Sequence, residues 1–151
     1  MGLVSKTLGR GIDFENEGKT YKISSWTFGV QAKYEEYLES NALKTLSRMR
    51  TQLDQMDYQE YKQDILDKVA TRYYTFGSKV VAESLRSNTN LKWILMYSLQ
   101  VYDKTIGMDF INSLSEEKLD EAIYLMFTIN QDTQEVDPSK PKSEENGPST
   151  S

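Results

Sequence analysis

Cysteine and histidine are both absent from this chain of 151 residues. Without cysteine there is no disulfide framework, no thiolate nucleophile and no zinc ribbon, a usage that fits a reducing compartment. Without histidine the chain lacks the side chain most often used as a general base near neutral pH, and the commonest metal ligand. Catalytic triads, Cys–His dyads and most zinc sites are therefore excluded, and any catalysis would rest on carboxylates or lysine alone. Long apolar runs are missing as well: nothing approaches the ~18 residues a membrane span needs. The opening residues have no signal-peptide core, and they read Lys6 where the myristoylation pattern wants Ser or Thr. The expectation is a non-enzymatic chain with no cofactor, no metal and no membrane partner.

Proline is scarce and unevenly placed. Its three copies, Pro138, Pro141 and Pro148, all fall near the end, and Val136 is the one other apolar residue from Asp132 onward. Such a segment cannot offset the entropy of ordering, so residues 132–151 are expected to be a disordered tail. Residues 1–11 hold three of the eight glycines and no acid, and are expected to form a loose basic arm. Positive charge is the minority sign, with 18 Lys and Arg against 23 Asp and Glu, a net −5. An acidic balance disfavours contacts to a phosphate backbone, so no nucleic-acid partner is expected.

What remains, residues 12–131, reads as a helical domain with a hairpin at its start. Ile12-Asp13-Phe14-Glu15 and Tyr21-Lys22-Ile23-Ser24 alternate apolar with polar, and Asn16, Glu17 and Gly18 supply turn chemistry between them. From Phe28 the apolar positions Tyr34, Leu38, Ala42, Leu46, Met49, Leu53 and Met56 recur at helical steps, with Thr27 or Ser25 as cap. A second helix is expected to open at Asp57, with Glu60 completing a capping box and Tyr58, Tyr61, Ile65 and Val69 as its dry face. Arg72 to Gly77 reads as a short loop, after which Val80, Val81 and Leu85 resume helix. Ser87 to Asn90 is a break and a new cap before the nearly all-apolar run Leu91–Tyr102, the expected central helix. Ile106, Met108, Phe110, Ile111 and Leu114 suggest a short connecting helix, which leads to Ser115, the cap of a last helix carrying Glu116 and Glu117 in its first turn. The fold class expected is mainly α, a bundle of four to five helices with an N-terminal β-hairpin.

Recognised chemistry is sparse. Gly9-Arg10-Gly11 lacks the spacing of a phosphate-cradling loop. Glu35, Glu36 and Glu39 read as a solvated helix face rather than a metal site, and Asp64 with Lys68 as a surface i,i+4 pair. The ten tyrosines stand out, with Tyr34, Tyr37, Tyr58, Tyr61, Tyr73 and Tyr74 gathered in one stretch. They suit either a core whose hydroxyls reach water or a surface for an oligomer or partner.

Two segments carry a family resemblance. The first runs Gly18-Lys19-Thr20-Tyr21-Lys22-Ile23, then Trp26-Thr27-Phe28-Gly29, then Glu35-Glu36-Tyr37-Leu38-Glu39. The second is Leu85-Arg86-Ser87-Asn88-Thr89-Asn90-Leu91-Lys92-Trp93-Ile94-Leu95-Met96-Tyr97-Ser98-Leu99, followed by a linker and an acidic helix. Their order resembles the tail assembly chaperones of long-tailed bacteriophages over roughly residues 12 to 130. The buried helix departs from that pattern in the place of Trp93 and in Met96-Tyr97. The resemblance implies a non-catalytic protein of the host cytoplasm that binds the tape-measure and tail-tube proteins during assembly. It also implies absence from the mature virion, and a longer second product made by ribosomal frameshifting. Phe28, Tyr34, Tyr37 and Met49 with Tyr58 and Tyr61 are the expected contact residues, and self-association is compatible with them. Other readings of the same sequence are a head–tail connector or tail-completion protein, and a small regulatory or interaction module.

Overall fold

The computed structural model describes residues 10–135, so most of the expected arm and most of the expected tail lie outside the described residues. The chain order is β1 (Gly11–Asn16), β2 (Lys19–Ser24), α1 (Phe28–Met49), α2 (Gln55–Ala70), α3 (Lys79–Ser84), α4 (Asn88–Gln100), α5 (Met108–Ser113) and α6 (Glu116–Glu135). It is mainly helical with an N-terminal antiparallel hairpin. Six helices are seen among the described residues where four to five were expected, because α3 and α5 are pieces of six residues each. The last helix runs to Glu135, past the Asp132 boundary set by composition alone.

The described residues belong to two compact units, one holding residues 10–28 with 95–135 and the other Gly29–Ile94. In the first, β1 and β2 pair from Gly11↔Ser24 to Asn16↔Lys19. The turn between them places Glu17 at φ 52° and Gly18 at φ 78°. Two successive positive φ values make the type I′ turn, whose twist matches that of the strands. Alternation then buries Phe14 and Ile23 on one face, and α6 packs across both strands. Ala122, Met126 and Ile129 are buried among the described side chains of α6, so its dry face is rotated from the Leu119, Ile123, Met126 and Phe127 expected. Asn130 ties the helix to the chain after the hairpin: its side-chain oxygen accepts from the Trp26 N–H at 2.8 Å. Trp26 stacks edge-on to Phe127, with centroids 5.6 Å apart. Ser115 caps α6 as expected, accepting from the Lys118 N–H.

The second unit contains most of α1, all of α2 and α3, and the start of α4. The helix expected to continue to Met56 ends at Met49. No glycine or proline breaks it; instead the Asp54 carboxylate accepts the Asp57 N–H at 2.8 Å and starts a new helix. This cap replaces the expected Asp57–Glu60 box. The segment Trp26–Gly29 and its look-alike Tyr74–Gly77 also part company: Gly29 is helical, whereas Gly77 sits at φ 95° before the Ser78 cap of α3.

Candidate functional site

Most of the expected contact residues are used inside the second unit. Tyr34 is fully buried; its hydroxyl lies 2.7 Å from Ser84 Oγ, which gives its own proton to the Val81 carbonyl, so Tyr34 donates. Burial pushes the Tyr34 phenol above the usual tyrosine value. Tyr37 donates to Asn90 Oδ1 at 2.7 Å and stacks on Trp93 with centroids 5.1 Å apart. Tyr34 and Tyr37 therefore hold α1 against α3 and the start of α4.

The other half of the expected set packs at the far end of α1. Leu46, Tyr58 and Ile65 form a buried cluster, with Ala42, Met49, Leu53 and Tyr61 half-buried against it. Tyr58 and Ile65 are the only two buried residues on α2. Phe28 alone of the six expected residues is well exposed, at 55%. Tyr34 and Tyr58 serve the unit's own packing, because a tyrosine near the middle of an amphipathic helix is the natural filler of its dry stripe.

Glu35 departs from the solvated face assigned to it. Its carboxylate accepts the Phe76 N–H at 2.6 Å and the Arg72 guanidinium at 3.2 Å, pinning the loop after α2 onto α1. That loop opens with Arg72 at φ 60°. The Tyr73 N–H bonds the Lys68 carbonyl and the Arg72 N–H bonds the Val69 carbonyl, the Schellman pattern that closes a helix with a left-handed residue. The Asp64–Lys68 pair is present at 3.1 Å, and it holds the Lys68 ammonium above its ordinary value.

A feature missed in the sequence lies on the outer side of α2. Met56, Gln59, Gln63, Leu66 and Ala70 are all exposed, follow one another at steps of three and four, and carry no charge. Met56 is 73% exposed. Helical spacing puts the five in one stripe, turned about 120° around the helix from the edge that Tyr58 and Ile65 bury. In a chain that is 27% charged, an uncharged exposed stripe on a helix is a surface suited to another protein. The signal was available, but the strong periodicity of Tyr58, Tyr61, Ile65 and Val69 masks it.

In the first unit a groove of about 260 Å³ lies beside β2, lined by Lys19, Thr20, Tyr21 and Lys22 on one side and by Leu99, Tyr102, Asp103 and Ile106 on the other, with Asp13 at its rim. Lys22 pairs with Asp13 at 3.4 Å and stands over the Tyr102 ring. The Asp103 carboxyl is held below its usual range by hydrogen bonds from the Thr105 hydroxyl and N–H, with Lys19 adding to the effect. Among the described residues no group of three or more acidic side chains is placed to hold a metal ion, and no helix is long and apolar enough to cross a membrane. In comparisons with protein-family models, with curated proteins and with solved structures, nothing matches the chain.

Proposed function

We propose that this chain is a non-catalytic binding protein that assists assembly of a long-tailed phage tail, holding the tape-measure and tail-tube proteins transiently in the host cytoplasm. The order of its motifs, from the Gly18–Ile23 hairpin segment through Trp26–Gly29 to the Leu91–Leu99 helix, supports the family reading. The observation that carries a binding role is the uncharged exposed stripe Met56, Gln59, Gln63, Leu66 and Ala70 on α2. A tape-measure protein is long and helical as the resemblance implies, and an amphipathic helix laid along this stripe would bury its apolar face against Met56 and Leu66.

The thin cluster beneath α2 suits a client that must later leave. A helix held by two buried residues opens at modest free energy, so α2 can adjust to its partner. A contact at the low end of the ~1,200–2,000 Å² range of specific interfaces gives the moderate affinity that release demands. The net charge of −5 keeps loaded complexes apart in solution.

The test is affinity capture of the N-terminally tagged protein from infected cells during assembly, with mass spectrometry of its partners and of purified virions. Co-recovery of the tape-measure and tube proteins, with absence from virions, is the expected result. Loss of both partners in Leu66→Glu and Met56→Glu variants that still fold assigns the contact to α2. A fixed copy number in virions would instead identify a connector or completion protein. Recovery of no tail protein at all overturns the phage reading.

A further inference from the structure

A second binding surface emerges from the hairpin, and it stands without the phage reading. In a hairpin with a two-residue turn the closing pair is hydrogen-bonded and the pairs then alternate. The phase is fixed here by the Ser25 N–H bonding the Arg10 carbonyl at 2.7 Å, one step beyond the Gly11↔Ser24 pair. Lys19, Tyr21 and Ile23 therefore turn their N–H and C=O groups toward β1, and Thr20 and Lys22 turn theirs outward. Among the described residues no hydrogen bond reaches those outward groups of Thr20 and Lys22. Both residues are exposed.

The opposite edge of the hairpin is in a different condition. Glu15, whose main-chain groups point outward from β1, has its carbonyl bonded by the Lys118 ammonium at 2.9 Å. The β1 edge is thus taken up at Glu15, while the β2 edge forms one wall of the groove. The groove floor is apolar, with Leu99 fully buried and Ile106 nearly so, and its rim pairs two lysines with two aspartates. At about 260 Å³ it falls below the ~300–1,000 Å³ of small-molecule pockets. A balanced rim gives no preference for a polyanion, and a row of outward main-chain donors and acceptors at a two-residue repeat is matched by another main chain.

We propose that the groove beside β2 binds an extended segment of another polypeptide, which adds to the hairpin as a third strand. Its main chain bonds Thr20 and Lys22, one aliphatic side chain rests against Tyr102 and Ile106, and flanking residues of opposite charge meet the Lys19, Lys22, Asp13 and Asp103 rim. A third strand also relieves a weakness of the fold, since a two-stranded sheet is marginal and its open edge is a template for unwanted pairing.

The probe is a blocked, fluorescein-labelled pentapeptide, Glu-Thr-Val-Thr-Lys, titrated into the full chain labelled with ¹⁵N. Two analogues carry N-methyl groups, one on the odd and one on the even positions. Because only one set of amides faces β2 in a strand, one analogue is expected to lose affinity about tenfold while the other keeps it. The amide signals of Thr20 and Lys22 should shift most on binding. Thr20→Pro removes an outward donor without touching the β1–β2 ladder, and should lower affinity about tenfold with the hairpin signals retained. Equal effects of the two N-methyl analogues, shifts centred away from β2, or no binding at millimolar peptide would overturn the proposal. So would a concentration-dependent dimer joined through β2 that the peptide does not dissociate, because the occupant would then be a second copy of this chain.

Discussion

Removing the Glu35 carboxylate tests how the second unit is held together. Glu35→Ala takes away the acceptor of the Phe76 N–H and the partner of Arg72. These two losses differ in size. The Arg72 side chain is 68% exposed, and an ion pair that wet contributes between zero and about 1 kcal/mol. The Phe76 bond is short, charge-assisted and half-buried, and hydrogen bonds to charged acceptors contribute about 1.5–3 kcal/mol. The expected loss is about 2–3 kcal/mol, most of it from the loop amide. The variants to compare by urea unfolding are Glu35→Ala, Arg72→Gly and the double substitution. Arg72→Gly should be close to neutral, because relief of the left-handed strain at φ 60° offsets the lost ion pair. The double variant should then lose about as much as Glu35→Ala alone. A loss in Arg72→Gly as large as in Glu35→Ala, with strong coupling between them, would show that the ion pair is what holds the loop. It would refute the ranking.

Three further outcomes follow from the same geometry. Glu17→Asn creates the Asn-Gly pair that type I′ turns favour in place of a glutamate at φ 52°, and should raise stability by about 0.5–1 kcal/mol in thermal unfolding. Tyr34 has its pKa raised by burial, so its contribution is intact below the unfolded tyrosine value of 10.0 and is lost as pH rises through the higher folded value. Tyr34→Phe should therefore show a shallower fall in stability above pH 10 than the parent, and parallel curves would contradict the assignment. Leu46→Ala should cost about 2–3 kcal/mol, and hydrogen exchange should show α2 losing protection before the hairpin does; uniform loss across both would deny α2 its separate opening.

The hairpin, the α6 cap and the Asp64–Lys68 pair were legible because each rests on contacts a few residues apart. Asn16 to Gly18 can only turn, and Ser115 before Glu116 and Glu117 can only start a helix. The end of α1 was not legible for the opposite reason. Leu46, Met49, Leu53 and Met56 keep a helical step straight through the break, and nothing at Arg50, Thr51 or Gln52 interrupts it. The decision lies in one carboxylate, Asp54, whose competing bond to the Asp57 N–H outweighs continued periodicity. Glu35 was missed because its partners stand 37 and 41 residues away, in a loop whose path the sequence does not encode locally.

The expected contact residues bear on a related point. Large apolar and aromatic residues on a helix are first claimed by the chain's own core, so counting tyrosines locates packing before it locates partners. Tyr34 and Tyr58 follow that rule, and Tyr37 satisfies its hydroxyl on Asn90. The better guide is what the fold leaves over once its own demands are met. On α2 that remainder is a stripe without charge where solvent alone would favour charge. On β2 it is the main-chain donors and acceptors of Thr20 and Lys22, which no neighbour among the described residues takes up. The two remainders call for different occupants, an amphipathic helix for the stripe and an extended strand for the edge. Each proposed occupant is tested on its own surface, the stripe by Leu66→Glu and Met56→Glu and the edge by the N-methylated peptides.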